Sequence, residues 1–149
     1  RTGPAPYTSK HVPHIQVGVE PVPEISKAFL RRVDDIPGVS IHDTIISIAG
    51  ALGFWLDEEM PLTHPEVIVK GREFGHMHPD GSLHIALSPD LAARAIKAGW
   101  AIYHPWAKKR PGWEGFVMIY TPRTKAEMET VLQLVQGSYK FITGKDATD

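Results

Sequence analysis

Apolar residues recur at helical spacing in three stretches of this chain and run together or alternate in several others. From about 24 to 35, Ile25, Phe29, Arg32 and Ile36 fall on one side, with Ala28 and Val33 beside them. Pro37-Gly38 stops this helix. Residues 39 to 49 are β-branched and mostly apolar, and read as a strand; Phe54-Trp55-Leu56 reads as a second, shorter one. Residues 67 to 78 and 82 to 88 form two arms of a hairpin. Ser88-Pro89-Asp90 is a helix start, with a serine cap, proline in the first turn and an acid after it. That helix runs to Ala98, and Gly99 ends it. Gly115 to Thr121 is another strand, with Phe116 to Tyr120 as its apolar run.

The last helix has the clearest limits. Thr124-Lys125-Ala126-Glu127 is a capping box. Met128, Val131, Leu132, Val135, Tyr139 and Ile142 follow as one apolar stripe, and Gly144 closes it. The order is helix, several strands, helix, strand, helix. Regular strand–helix alternation is missing, so the pattern predicts an α+β fold with about three helices packed on a largely antiparallel sheet. Residues 1–14, rich in proline and polar groups, read as an extended arm. Residues 15–144 read as a single domain, and 145–149 as a polar tail.

One hairpin carries the chemistry. The run His76-Met77-His78-Pro79-Asp80-Gly81-Ser82-Leu83-His84 places Pro-Asp-Gly at the turn, with Gly81 in the left-handed position. In that register His78 lies opposite Ser82 and His76 opposite His84. Strand alternation then gathers His76, His78 and His84 on one face and Met77, Leu83, Ile85 and Leu87 on the other. Three imidazoles at such spacings can converge on a divalent metal, with His104, Glu73 or Glu114 added by folding. They can equally line a metal-free pocket as bases and hydrogen-bond donors. A solvated sheet face beside a turn is the third reading.

Composition narrows the function classes. The 149 residues carry 16 Lys plus Arg against 17 Asp plus Glu, a formal charge of −1. No basic excess points to nucleic acid or to an anionic membrane. Absence of cysteine excludes disulfide and thiolate chemistry and suits a reducing, cytoplasmic setting. There is neither a secretory signal nor an apolar run of the roughly 20 residues that a membrane span needs. Phosphate-binding glycine loops, nucleophile elbows and zinc-protease helices are missing too.

Other residues are candidates for the walls of a site. Arg72, read as sharing a face with His76 and His78, could hold an anionic oxygen or form a surface ion pair. Trp100, Tyr103, Trp106 and Trp113 could wall an aromatic-binding pocket or pack ordinarily. His104 precedes a proline and is held extended, so its ring could reach the hairpin. Arg123, after Tyr120-Thr121-Pro122, is either a helix-end charge or a pocket residue. His11, His14, His42 and His64 are expected to be structural or exposed.

Arg72-Glu73-Phe74-Gly75-His76-Met77-His78 and Ser82-Leu83-His84-Ile85-Ala86-Leu87 resemble the core of the fungal luciferase family. So do Lys97-Ala98-Gly99-Trp100, His104-Pro105, and Tyr120-Thr121-Pro122-Arg123 with the glutamate-bearing helix after it. The resemblance covers roughly residues 66–143, and short prokaryotic-type luciferase-domain proteins are similar over nearly the whole chain. It implies an enzyme that oxidises a small acidic enol or hydroxy-pyrone, as fungal luciferases oxidise 3-hydroxyhispidin. Molecular oxygen is the implied co-substrate, with no organic cofactor. The roles rest on the hairpin argument, which gives His76, His78, His84, His104 and Arg72 as the expected catalytic groups. Glu73, Trp100, Trp106, Trp113, Tyr120 and Arg123 are the expected substrate-binding groups. Two departures stand out. The membrane-associating N-terminal segment of the fungal proteins is not seen, and the Pro79-Asp80-Gly81 turn is shorter and lacks an additional histidine. A metal-dependent enzyme on His76, His78 and His84, or a non-catalytic module for a small aromatic ligand, are the alternatives.

Overall fold

The structure is a computed structural model and is described for residues 1–148; Asp149, the end of the expected tail, lies outside the described residues. The architecture is α+β. Six strands form one antiparallel sheet in the order β3-β4-β5-β6-β8-β7. They are β3 (Val39–Asp43), β4 (Leu52–Leu56), β5 (Glu73–Met77), β6 (Leu83–Ala86), β7 (Ala101–Tyr103) and β8 (Phe116–Ile119). Three helices accompany the sheet: α1 (Pro23–Asp34), α2 (Pro89–Lys97) and α3 (Lys125–Thr143). A small pair, β1 (Tyr7–Thr8) and β2 (Gln16–Val17), is built from the N-terminal arm.

Local signals fixed the helix ends. Ser88 Oγ accepts from Leu91 N, and Thr124 Oγ1 accepts from Glu127 N. Glu127 reaches back to Arg123 N rather than to the cap residue itself, one position earlier than a standard capping box. Gly144 ends α3 in the left-handed conformation at φ 76°. The apolar stripe of α3 (Val131, Leu132, Val135, Tyr139, Ile142) packs with Phe29 and Val33 of α1. Both meet Phe54, Leu83, Ile85, Val117 and Ile119 from the sheet in one core. Burial at this scale, about 25 cal/mol per Å² of apolar surface, is the main force holding the helices on that face.

Two strands are shorter than the sequence suggests. The strand expected over 39–49 stops at Asp43, and residues 44–51 form a loop instead. The arm expected from residue 67 begins as a 3₁₀ turn, Pro65–Val67, and pairing starts only at Glu73. In both cases apolar, β-branched residues fall in loops: Val67 is buried in the core, while Ile45, Ile48 and Val69 stay exposed. Residues 101–103, given no element from the sequence, form the edge strand β7.

A bulge sets what β5 shows to each face. Phe54 pairs with Gly75, but Trp55 pairs with Glu73, so Phe74 is the extra residue. Past a bulge the alternation of side chains reverses. Phe74 therefore joins the core, and Glu73 emerges on the face that carries His76.

Candidate functional site

The hairpin folds as its turn chemistry dictates. His76 pairs with His84, His78 N donates to the Ser82 carbonyl, and Gly81 takes φ 91°. His76, His78 and His84 emerge on one face, with ring centroids 4.5 to 5.3 Å apart. His104 joins them from the segment after β7, 4.8 Å from the His84 ring. Its backbone N–H donates to Phe116 O, which continues the β7–β8 ladder and holds it there.

A fifth histidine completes the cluster. His14 stacks on His84 at 5.2 Å, and its Nδ1 lies 3.1 Å from His84 Nε2. This corrects the expectation that His14 is merely structural or exposed. The cause is tertiary. Gln16, two residues on, donates to Thr121 Oγ1 and Asp80 and accepts from Thr121 N. That clamp ties the arm to the hairpin turn. The alternation His14-Ile15-Gln16 was the signal available in the sequence. His11, His42 and His64 are exposed or half-buried away from the cluster, as expected.

These imidazoles line a cavity of about 200 Å³. Its other walls are Val12, Ile15, Ile46, Ile48, Val69, Trp106 and Phe116. Val12, Ile15, Ile48 and Val69 are also exposed, so the mouth is apolar while the floor is histidine. The loop that replaced the end of the expected first strand supplies Ile46 and Ile48.

Hydrogen bonds assign the protons on the floor. Ser82 Oγ donates its one proton to Asp80 Oδ1 at 2.7 Å, so it can only accept from His78 Nδ1 at 2.9 Å. His78 therefore carries its proton on Nδ1 and a lone pair on Nε2. Glu73 accepts from Thr44 Oγ1 and from Ile45 N, which marks it as a carboxylate. Its Oε2 lies 3.3 Å from His76 Nδ1, off the line of a full hydrogen bond. A negative oxygen at that distance still favours N–H over a lone pair, leaving the His76 lone pair on Nε2. His104 is opposite in sense. Its Nδ1 accepts from Trp106 N at 3.0 Å, so the neutral ring carries Nε2–H. In the chain without any ion, His84 Nδ1–H donates to His76 Nε2 at 3.3 Å and His14 Nδ1–H to His84 Nε2.

Burial favours the neutral form of His14, His78, His84 and His104. It lowers His78 and His104 to about 4, His84 well below its ordinary value, and His14 below 6.5. Repulsion among neighbouring imidazoles pushes the first three further down; Asp80 partly offsets this at His78.

The remaining candidates divide sharply. Trp106 lines the cavity, and Trp113 stacks behind it at 5.8 Å while donating to Glu66 O. Glu73 sits under His76 and does not line the cavity. Arg72 is not on the histidine face. Because of the bulge at Phe74 its guanidinium turns away and donates to the carbonyls of Glu58 and Met60. Trp100 and Tyr120 pack outside the cavity, as do Tyr103, partly exposed, and Glu114, exposed and bonded to Gly112 N. Arg123 is the helix-end charge: it pairs with Glu127 at 2.6 Å and holds Thr2 O.

Gly53 makes room for the Glu73 carboxylate. A Cβ there would stand 2.6 Å from Glu73 Oε1 and 2.8 Å from Trp55 Nε1. Gly53→Ala should displace that carboxylate and destabilise the chain by about 1–3 kcal/mol, as overpacking does elsewhere. Chemical denaturation checks this, and a variant as stable as the parent would refute the packing argument.

Comparison with known proteins adds to this geometry. Residues 71–138 match the family model described as the luciferase domain. The luciferases of Armillaria gallica and Armillaria mellea are each 27% identical over 167 aligned positions, covering 99% of this chain and 62% of theirs. The luciferase of Neonothopanus nambi is 33% identical over 91 positions, 57% of this chain and 33% of its own. The chain thus spans less than two thirds of the length of these curated relatives. No solved structure matches it. Among the described residues no helix is long and apolar enough to cross a membrane. His76, His78, His84 and His104 all fall within the segment that matches the luciferase-domain model, so the histidine floor of the cavity lies in the part of the chain that is similar to the fungal luciferases.

Proposed function

We propose that the cavity oxidises a small, acidic enol or hydroxy-pyrone with molecular oxygen. The observation that carries this reading is the division of protons on the floor. One free lone pair, His78 Nε2, and one free N–H, His104 Nε2, face the same small volume in a segment that matches the luciferase-domain model.

The chemistry follows from those two groups. His78 Nε2 accepts the hydroxyl proton of the substrate. A base whose conjugate acid lies near 4 takes a proton readily only from an acidic hydroxyl, which is why an enol fits and an ordinary alcohol does not. The enolate passes one electron to oxygen, and the carbon radical and superoxide then combine. One C–O bond forms, the carbon is oxidised, and oxygen is reduced to the peroxide level. His104 Nε2–H then donates to the distal peroxide oxygen, a preorganised donor where negative charge develops. Trp106, Phe116 and Ile48 exclude water from the peroxide. The apolar mouth suits a substrate whose body, beyond its enol, is a flat or chain-like hydrocarbon.

The test is oxygen consumption, with light emission read alongside, on mixing the chain with 3-hydroxyhispidin and simpler hydroxy-pyrones. Turnover is expected, with His78→Ala lowering kcat about 10²- to 10⁴-fold, the usual weight of a general base. No oxygen uptake with any of these enols, or full activity in His78→Ala, would defeat the reading.

A further inference from the structure

We propose that His76 Nε2, His78 Nε2 and His84 Nδ1 together hold one divalent first-row transition ion, with Glu73, the Ser82–Asp80 pair and His14 fixing the other nitrogen of each ring. Two sets of three histidines bring ligand atoms within 4.8 Å of one another: His76, His78 and His84, and His14, His84 and His104. They share His84 through opposite nitrogens, Nδ1 toward His76 and Nε2 toward His14. Distance alone does not separate them. Two imidazole nitrogens bound at about 2.1 Å to one ion lie roughly 3.0–3.4 Å apart. His76 Nε2 to His84 Nδ1 is 3.3 Å and His14 Nδ1 to His84 Nε2 is 3.1 Å.

The outer nitrogens separate them. A neutral histidine that ligates an ion must carry its proton on the other nitrogen and give it to an acceptor. His104 fails this, because its Nδ1 already accepts from Trp106 N and its proton must sit on Nε2. His76 and His78 meet it, with acceptors in Glu73 and in Ser82 backed by Asp80. His84 meets it once its proton moves to Nε2: the bond to His14 reverses, with Nε2–H donating to His14 Nδ1, and the bond to His76 Nε2 is given up, which frees Nδ1 and His76 Nε2 to ligate. Each ring of the first set thus has an acceptor beside its outer nitrogen, Glu73 standing off the line of His76 Nδ1, whereas His104 in the second set meets a donor there instead. All three ligands are imidazole, with no carboxylate or thiolate among them. Such a donor set favours zinc, iron, cobalt, nickel or copper over magnesium or calcium.

This inference goes beyond the oxygen-dependent reading and stands without it, since an ion bound there serves hydrolytic chemistry equally. Where both hold, His78 Nε2 would be engaged in holding the ion, which would supply the acidification of the enol hydroxyl in place of that base. The experiment is read without substrate. The full chain, purified without a histidine tag and stripped with chelator, is titrated with Co²⁺ and then with Zn²⁺. Expected are about one cobalt per chain, visible ligand-field absorption that zinc abolishes, and a raised melting temperature. Glu73→Gln should weaken the affinity about 10- to 100-fold. His78→Ala should remove the cobalt spectrum and His104→Ala should keep it. X-ray absorption on the cobalt-loaded parent should show three imidazoles, a readout that needs no variant to fold. Less than about 0.1 cobalt per chain would overturn the proposal. So would a spectrum that survives His78→Ala and disappears in folded His104→Ala.

Discussion

Glu73→Ala should destabilise this chain by about 3 kcal/mol or more, although Glu73 faces no solvent and lines no cavity. Its carboxylate is 1% exposed and accepts from both Thr44 Oγ1 and Ile45 N. Truncation leaves two donors without an acceptor, each worth roughly 1–3 kcal/mol when buried, and a void beneath His76. The same bonds anchor the start of loop 44–51 to the sheet, and that loop carries Ile46 and Ile48 onto the cavity wall. Amide exchange in residues 44–51 should therefore accelerate more than exchange in β6 or α3. Glu73→Gln keeps an acceptor oxygen and should cost less. Urea unfolding gives the first number and exchange mass spectrometry the second. An alanine variant within 1 kcal/mol of the parent would remove the carboxylate from the structural role assigned to it.

The second large effect is with pH. Chelator-treated protein should lose stability steadily as pH falls from about 6.5 to about 4. His78, His84, His104 and His14 are all held below the ordinary value by burial. The unfolded chain therefore binds more protons than the folded one across that window. Stability is fully present above the unfolded value near 6.5 and is lost as pH drops toward the folded values. His78 alone, lowered from 6.5 to about 4, represents on the order of 3 kcal/mol at roughly 1.4 kcal/mol per unit. Against a total of about 5–15 kcal/mol for an ordinary domain, that is enough to bring unfolding into the mildly acidic range. Denaturant midpoints measured from pH 7.5 to pH 4 test it. His78→Gln should flatten the curve, and a parent whose stability holds or rises on acidification would contradict the buried, neutral state of these four rings.

Local sequence determined a good deal here. The helix limits at Ser88, Thr124 and Gly144 follow from caps whose hydrogen bonds are made within three or four residues. The pairing of His76 with His84 follows from the Pro79-Asp80-Gly81 turn, because turn length sets register. The α+β class follows from the order of periodic and alternating segments. None of this needed distant residues.

Three outcomes were decided only by the folded chain. Arg72 left the histidine face and Glu73 entered it because of one extra residue at Phe74. A bulge reverses alternation, and it exists only in relation to the partner strand β4. His14 joined the cluster because Gln16 found Thr121 and Asp80, contacts spanning 105 and 64 residues. The strand expected to reach residue 49 ended at Asp43: Thr44 N still reaches Ala51 O, but Thr44 Oγ1 and Ile45 N turn to the Glu73 carboxylate. Periodicity reports the environment of a residue along its own element, and it is blind to which far segment will satisfy a buried donor. The histidine hairpin was therefore legible before folding, while its fifth ring, its outer shell and its walls were fixed by tertiary contacts alone.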